Sequence, residues 1–337
     1  MREGAAVTGS DSLHFDIGRP VAFDVARDPV SLPILRNWCD AMGNSNLLHT
    51  DPAVAAGTQF GAVVAPLAML DVWTKPGLVY QRDVSDPRGA AFDALDREGF
   101  TSAMAVSSEL TQQRPLVLGD ELHSTLTLEA VSPQKSTAVG PAHFVTTRQA
   151  FFAADTPVGD ARFTVMKFRP VTDAKQRRGE HRTDGPVPTR AKAWPAARDE
   201  LDTLVARGLS AGLGMPPVEI PITTTLIVAG ALMTSDYFDA HHDRDAAIRR
   251  GSRDIFMNIH TTIGLIERCV DAWIGPNVCW RSISTRLGAP NHPGDVMTVG
   301  AELVSVNEHS GETRIGFRAT NTLGVHAHGS IGVVLPI

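Results

Sequence analysis

Apolar and polar positions follow two different periods along this chain, and the same order of periods occurs twice. The stretch LPILRNWCDAMG places its large apolar residues at helical spacing and ends at Gly43, a typical helix stop. Each half then contains a nearly continuous apolar run, AVVAPLAMLDVW and DIFMNIHTTIGLIERCVDAW, which predicts a buried helix. Segments such as LHSTLTLEAV, ARFTVMKF and VMTVGAELVSV alternate as half-buried strands do. A buried helix followed by antiparallel strands, twice over, predicts an α+β fold.

Two short motifs indicate that the chain is internally duplicated. Asn44 and His49 align with Asp236 and His241 at an offset of 192 residues, and both copies fit (N/D)-x4-H-x-D-x3-A. Further along, PLVLGDEL and PNHPGDVM share P-x3-G-D at an offset of 175. The first copy therefore carries about seventeen more residues between the motifs, which we expect in VYQRDVSDPRGAAFDALDREGF, a stretch with turn formers and weak periodicity.

The duplication divides the chain into two domains of ordinary size. We expect a first domain at 20–171, a linker at 172–217 and a second domain at 218–337. The linker is rich in Arg, Pro and Gly and contains one plausible exposed helix, AARDELDTLVARG. The shared order of elements predicts that both domains fold in the same way.

Composition and charge narrow the function classes. The chain has 337 residues, 43% of them apolar, and a net charge of −6, so nothing favours nucleic acid as a partner. Its three cysteines lack a C-x-x-C spacing, which fits a reducing cytoplasm best. The N-terminal stretch lacks the apolar core of a signal peptide, and no apolar run approaches the ~20 residues of a membrane span. These features predict a cytoplasmic protein that binds neither nucleic acid nor membranes.

The loop SDYFDAHHDRDAA concentrates ionisable side chains in the second half, with four aspartates and two adjacent histidines. A structural explanation accounts for part of it. Asp243, like Asp51 in the first half, would cap the short helix that follows. Charged groups also gather in surface loops for solubility alone.

A metal site is the second explanation of this loop. His241 and Asp243 have the spacing of a two-histidine, one-carboxylate iron site. The candidates for a third ligand are His292, His326 and His328 in the second half, and His123 and His143 in the first. Because none of them is close in sequence, the motif is weak evidence for a metal, and we expect none.

An acid/base pair formed by Asp236 and His241 is the third explanation. Four intervening residues let a carboxylate and an imidazole converge on one small molecule while the chain turns between them. One group can take a proton from water while the other gives a proton to carbon, and such transfers contribute typically 10²–10⁴-fold each. The buried helix that begins near Met257 to Ile259 would offer free backbone N–H groups to the developing negative charge. This explanation accounts for the loop and the helix together.

The residues around the motif resemble a known family. DYFDAHHD, with GSRDIFMNIHTTIGLIERCVDAWIGP and SISTRLGAP, is similar to the MaoC-like (R)-specific enoyl-CoA hydratases, and within them to the catalytic subunit of the actinobacterial steroid side-chain hydratases. WCDAMGNSNLLHTDP, VVAPLAMLDVW and ALDREGFTSAMAVSSELTQQRPLVLGDEL resemble the N-terminal part of the companion subunit. Together these stretches cover nearly the whole chain except the linker and the first twenty residues.

The resemblance implies a double hotdog, in which each domain wraps an antiparallel sheet around a long central helix and both subunits are fused in one chain. It assigns Asp236 and His241 as the catalytic pair. It places the thioester carbonyl on the backbone around Met257, Asn258 and Ile259. Asn258 departs from the family, which often has glycine at this position.

The first half also departs from the family pattern. Asn44 stands where the catalytic aspartate belongs, and an amide cannot act as a general base near neutral pH. His49 is then expected to have no partner. The resemblance therefore implies one active site per chain, in the second half, with the first half supplying the partner hotdog and much of the acyl-binding surface.

The activity implied by the resemblance is that of a hydro-lyase, which adds water to an α,β-unsaturated acyl-CoA. The expected substrate is a steroid side-chain thioester such as 3-oxo-4,17-pregnadiene-20-carboxyl-CoA. The alternatives are a generic medium- or long-chain (R)-specific 2-enoyl-CoA hydratase and a non-catalytic acyl-CoA-binding or scaffold protein. No metal or redox cofactor is implied, since CoA enters as part of the substrate. A homodimer and docking to a downstream aldolase stay open.

Overall fold

Antiparallel strands from both halves form one continuous sheet in the computed structural model, which describes residues 15–79, 86–169 and 210–335. The strand order is β1-β3-β5-β6-β2-β8-β11-β10-β9-β7, with β4 paired to β5. Each half contributes one unbroken block of this order. The strands are β1 Pro20–Val25, β2 Ser102–Gln112, β3 Leu122–Val131, β4 Lys135–Thr137, β5 Gly140–Ala153, β6 Thr156–Phe168, β7 Val218–Pro221, β8 Cys279–Leu287, β9 Val296–Val306, β10 Glu312–Asn321 and β11 Gly324–Val334.

The two blocks of the sheet meet where β2 pairs with β8. Leu110 of β2 lies opposite Ile283 of β8, and both side chains are fully buried. Residues of both halves belong to one hydrophobic cluster that runs across this junction. The halves therefore fold around a shared core.

The described helices are α1 Leu32–Met42, α2 Pro52–Ala56, α3 Pro87–Arg97, α4 Thr224–Met233, α5 Arg244–Arg249 and α6 Ile259–Ile274. α1 ends as predicted at Gly43, whose φ of 66° suits glycine. α6 is the predicted central helix of the second half, and all its side chains except Ala272 are buried. A Cβ added at Gly264 of α6 would lie 2.8 Å from the Trp38 ring, so α1 packs directly against the α6 backbone.

The predicted buried helix of the first half does not form, and that prediction is wrong. Its apolar run makes only the 3₁₀ turn Leu67–Met69 and further turns, although almost all of it is buried. Pro66 lies inside the run, where its ring excludes a preceding helical turn. Val64 is instead paired with Val117 as a β-bridge. The first half therefore has the sheet of its partner without the long central helix.

The extra residues of the first half form a helix of their own. α3 begins after Asp86, whose Oδ1 accepts a hydrogen bond from the Arg88 N–H at 2.9 Å. Its buried residues join a small hydrophobic cluster with Leu128 and Val145, separate from the main core. The weak periodicity of this stretch concealed the helix because only three of its residues are buried.

Most of the predicted linker, including AARDELDTLVARG, lies outside the described residues. Its last residues return to the sheet, where Gly214 forms a bridge with Glu302. β7 then begins at Val218. Among the helices that the structure describes, none has the length and apolar character needed to cross a membrane.

Candidate active site

Asp236 and His241 lie together in the loop after α4. His241 ends the 3₁₀ turn Asp239–His241, and Ser235, just before Asp236, has a left-handed φ of 51°. The Nε2 atom of His241 lies 3.5 Å from Oδ2 of Asp236. The His241 side chain is 7% exposed and that of Asp236 is 25% exposed, so a small molecule can approach the pair from the aspartate side.

His241 is held in one orientation by its second ring nitrogen. Nδ1 lies 2.7 Å from the carbonyl oxygen of Phe256. Since a carbonyl can only accept, Nδ1 carries the proton, and Nε2 of the neutral imidazole presents a lone pair to Asp236. The rings of Phe238 and Phe256 pack edge-on against the imidazole and keep it in place.

Asn258 fixes the carboxylate of Asp236. Its Nδ2 donates to Oδ2 of Asp236 at 3.0 Å and to Oγ1 of Thr234 at 2.8 Å. Its Oδ1 accepts from the Thr261 N–H at 2.8 Å and so caps α6. The asparagine that departs from the family pattern thus joins the start of α6 to the aspartate, a connection that glycine could not make.

The environment sets the charge of both groups. Burial alone would raise the pKa of Asp236, but the neighbouring basic groups of His241, His260 and Lys75 and the Asn258 hydrogen bond hold it below its usual value. Burial lowers the pKa of His241, and the neighbouring Asp236 opposes this only in part. Near neutral pH the pair is therefore a carboxylate beside a neutral imidazole.

The backbone N–H groups at the start of α6 do not all remain free. The Met257 N–H donates to the carbonyl oxygen of Asn291 at 3.0 Å, so it is already committed. The N–H groups of Ile259 and His260 donate to no other described residue. Of the predicted set, the Met257 N–H is therefore engaged, whereas those of Asn258 and Ile259 have no partner among the described residues, and the thioester site itself stays a prediction.

The aspartates of the His-x-Asp motif serve as helix caps, as the structural explanation predicted. Oδ1 of Asp243 accepts from the Ala246 N–H at 2.9 Å, and Oδ1 of Asp51 accepts from the Ala53 N–H at 2.8 Å. Nδ1 of His292 is bonded to the Ile255 carbonyl. Across residues 15–79, 86–169 and 210–335, no three His, Cys, Asp or Glu side chains are grouped as metal ligands would be.

The first half repeats the geometry of the second around His49. Nδ1 of His49 lies 2.8 Å from the carbonyl oxygen of Val64, fifteen residues further along the chain. His241 makes the equivalent contact with the carbonyl oxygen fifteen residues after it. Asn44 instead accepts a hydrogen bond from the Asn46 N–H at 2.9 Å. However, Oδ2 of Asp271, on α6 of the second half, lies 3.9 Å from Nε2 of His49. The prediction that His49 has no partner is therefore wrong, because the other half supplies a carboxylate.

A second carboxylate from α6 occupies the amides of the first-half site. Glu267 accepts from the Leu67 N–H at 2.7 Å and from the Ala68 N–H at 2.8 Å. At the offset of 192 these two residues align with Ile259 and His260, whose N–H groups are free in the second half. A cavity of about 20 Å³ remains beside His49, which is room for about one water molecule. The first-half site is closed by the second half's own helix.

Known proteins resemble this chain in both halves. Residues 16–161 match the family model described as FAS1-like, dehydratase domain region. The beta subunit of 3-oxo-4,17-pregnadiene-20-carboxyl-CoA hydratase from Mycobacterium tuberculosis is 40% identical over 120 residues, which are 36% of this chain and 92% of that subunit. This chain belongs to the MaoC-like hydratase family.

The alpha subunit of the same mycobacterial hydratase is 33% identical over 146 residues, or 43% of this chain. The match spans 47% of the alpha subunit, so the chain covers about half the length of that relative. Partial matches to both subunits are consistent with their fusion in one MaoC-like chain.

Solved structures confirm the double hotdog fold of this MaoC-like chain. A MaoC-like dehydratase superposes with a TM-score of 0.69 at 20% identity, over 95% of this chain and 98% of that chain. A Mycobacterium tuberculosis protein described as a double hotdog gives 0.58 at 16% identity, over 95% and 97%. At such identities the likeness concerns the fold alone.

Sequence reasoning about this MaoC-like chain missed the residues of one half that contact the site of the other half. Glu267 and Asp271 stand four residues apart in an otherwise apolar helix, which places both carboxylates on one buried face. That spacing was a usable signal, since carboxylates are almost never fully buried without partners. Asp71 and Lys75 gave no comparable signal, because opposite charges four residues apart also occur as ordinary ion pairs on exposed helices.

Proposed function

We propose that this chain hydrates α,β-unsaturated acyl-CoA thioesters at one site per chain, in the second half. The observation that carries the proposal is a carboxylate and a neutral imidazole, Asp236 and His241, 3.5 Å apart beside the start of α6. The N–H groups of Asn258, Ile259 and His260 there have no partner among the described residues. Such a set suits a reaction in which a proton moves while negative charge develops on an oxygen. Relatives named as hydratases support the same reaction class.

The proposed reaction starts with a water molecule between His241 and Asp236. Both groups accept protons in the resting state, so one takes the water proton as the oxygen attacks C3. The electrons of the C2–C3 double bond move onto the thioester oxygen, which the N–H groups of Ile259 and His260 would stabilise. The proton then passes to C2, giving a 3-hydroxyacyl-CoA with no net gain or loss of protons.

The proposed substrate is a steroid side-chain thioester. Both mycobacterial relatives are named for the hydration of 3-oxo-4,17-pregnadiene-20-carboxyl-CoA, which supports this substrate class. We expect this thioester to be hydrated with a kcat/KM at least about tenfold above that of crotonyl-CoA, because it buries more apolar area. Initial rates across enoyl-CoA chain lengths measure this ratio. Faster hydration of crotonyl- or octenoyl-CoA would favour a generic 2-enoyl-CoA hydratase.

No metal or redox cofactor enters the proposed reaction, and CoA takes part only as a piece of the substrate. We therefore expect exhaustive chelation to leave the hydration rate unchanged. Asp243 of the His-x-Asp motif already caps α5, which leaves His241 without that carboxylate as a co-ligand. Rates before and after dialysis against a chelator, with metal analysis of the protein, measure the effect. One equivalent of iron or zinc, with activity that returns only on its addition, would revive the metal explanation.

A non-catalytic acyl-CoA-binding or scaffold protein is the alternative of another class. Such a protein would bind an enoyl-CoA and leave its ultraviolet absorbance unchanged. A cytoplasmic location, a homodimer and docking to a downstream aldolase stay predictions of the sequence.

A further inference from the structure

Two residues of the first half reach the catalytic loop of the second. Asp71 and Lys75 follow the 3₁₀ turn that replaces the missing helix. Nζ of Lys75 donates to the Thr234 carbonyl at 3.1 Å and lies 3.5 Å from Oδ2 of Asp71. Thr234 is two residues before Asp236, so a cation of the first half contacts the backbone of the loop that carries Asp236.

His260, on the first turn of α6, is the second contact of Asp71. Its Nε2 lies 2.8 Å from Oδ2 of Asp71, and its ring stacks on that of Phe163 from β6. Burial alone would raise the pKa of Asp71, but His260 and Lys75 hold it well below its usual range. Asp71 is therefore a fixed anion between two basic side chains.

Contacts continue from these residues to Asp236. The carbonyl oxygen of Thr234 accepts the hydrogen bond from Lys75. The hydroxyl oxygen of the same residue accepts a hydrogen bond from Nδ2 of Asn258 at 2.8 Å. The same Nδ2 donates to Asp236. An unbroken series of contacts thus joins Asp71, Lys75, Thr234, Asn258 and Asp236, and it crosses from one half to the other.

Two atoms of the Asp71–His260 pair have no hydrogen-bond partner in the described part of the chain. They are Oδ1 of Asp71 and Nδ1 of His260, and both are buried. A pair that served packing alone would be expected to satisfy its buried polar atoms, because each unsatisfied atom costs about 1–3 kcal/mol.

We propose that Asp71 and Lys75 are positioning residues, through which the first half sets the position and ionisation of Asp236 in the second-half site. The proposal rests on the proposed function. The first half would then contribute charge to the catalytic centre in addition to part of the acyl-binding surface. Asp71 holds Lys75 in place, and the cation of Lys75 favours the carboxylate form of Asp236; His241 and His260, the other titratable groups that act on Asp236, do so only in their protonated forms.

The test uses neutral and charged replacements of Lys75 in the full chain. Lys75→Gln keeps a donor for the Thr234 carbonyl and removes the charge, whereas Lys75→Arg keeps both. Losing the cation raises the pKa of Asp236, so the carboxylate is lost at higher pH. We expect the acid limb of the kcat/KM–pH profile to move up by roughly 0.5–1 pH unit in Lys75→Gln, and to stay in place in Lys75→Arg.

Lys135→Gln is the matched control, because Lys135 is an exposed lysine of the first half on β4. Its acid limb should coincide with that of the wild type. Lys75→Met gives a second neutral variant if Lys75→Gln folds poorly. An acid limb that stays in place in the folded neutral variant would overturn the proposal.

A titration of substrate-free protein separates this proposal from the proposed function. The carboxyl carbon of Asp236 can be followed by NMR in protein with labelled aspartate, and its signal is identified by its absence in Asp236→Asn. We expect its pKa to be higher in Lys75→Gln than in the wild type. That result would hold even if no enoyl-CoA were hydrated, whereas equal pKa values would contradict the proposal whatever the activity.

Discussion

Replacing Asp236 by Asn, or His241 by Ala, is expected to lower the turnover of an enoyl-CoA by roughly 10²–10⁴-fold. Asn keeps the shape of the side chain but cannot take a proton. Ala removes the Nε2 lone pair that faces Asp236. Initial rates at saturating substrate measure the loss, and urea unfolding shows whether the fold is intact.

His49→Ala is the matched control for these two variants. His49 makes the same Nδ1 contact as His241 and is equally buried, but Glu267 covers the amides beside it. We expect turnover within a few-fold of the wild type for folded His49→Ala. Equal losses at His49 and His241 would mean two working sites. Near-normal turnover in Asp236→Asn would refute the acid/base assignment.

Glu267→Gln is expected to change how stability depends on pH. Burial raises the pKa of Glu267 to about 7 from a reference value of 4.5, although the Ala68 and Leu67 amides and His49 oppose this. Because the folded pKa lies above the unfolded one, the wild type loses stability as the pH rises through this interval. A shift of this size corresponds to about 3 kcal/mol. Because Gln does not titrate, the free energy of unfolding of Glu267→Gln should rise relative to that of the wild type by up to about that amount as the pH rises.

Urea unfolding at pH 5 and pH 8 measures this difference for the wild type and Glu267→Gln. The variant is expected to be less stable at pH 5, since a well-placed buried acid is lost, and to approach or pass the wild type at pH 8. Glu302→Gln is the control, because Glu302 is an exposed glutamate of the second half. A gap between wild type and Glu267→Gln that widens from pH 5 to pH 8 would contradict the prediction.

Features that depend on near neighbours in sequence were predictable. Gly43 ends α1, and Asp51 and Asp243 cap the helices that follow them. The closeness of Asp236 and His241 is of the same kind, since one short loop joins them. The double hotdog followed from the resemblance alone, whereas the duplicated order of elements predicted the α+β class, because both halves keep their alternating strands.

Features that depend on the other half were not predictable from local pattern. The first-half apolar run is buried as expected, but apolar character alone does not distinguish a helix from a buried turn. The contact that occupies its amides comes from Glu267, 200 residues away. Lys75 likewise contacts Thr234 at a separation of 159 residues. One sequence without an alignment contains no signal for such pairs.

Hydration itself is the central claim, and its most direct measurement follows the enoyl thioester. Wild type and Asp236→Asn are incubated with 3-oxo-4,17-pregnadiene-20-carboxyl-CoA and, separately, with octenoyl-CoA. The ultraviolet absorbance of the conjugated thioester is recorded during the reaction, and the mass of the product is determined by mass spectrometry. The predicted result is a loss of absorbance with wild type and a product heavier by one water, both slowed by roughly 10²–10⁴-fold in Asp236→Asn. Binding of the thioesters by wild type, with unchanged absorbance and mass, would contradict it.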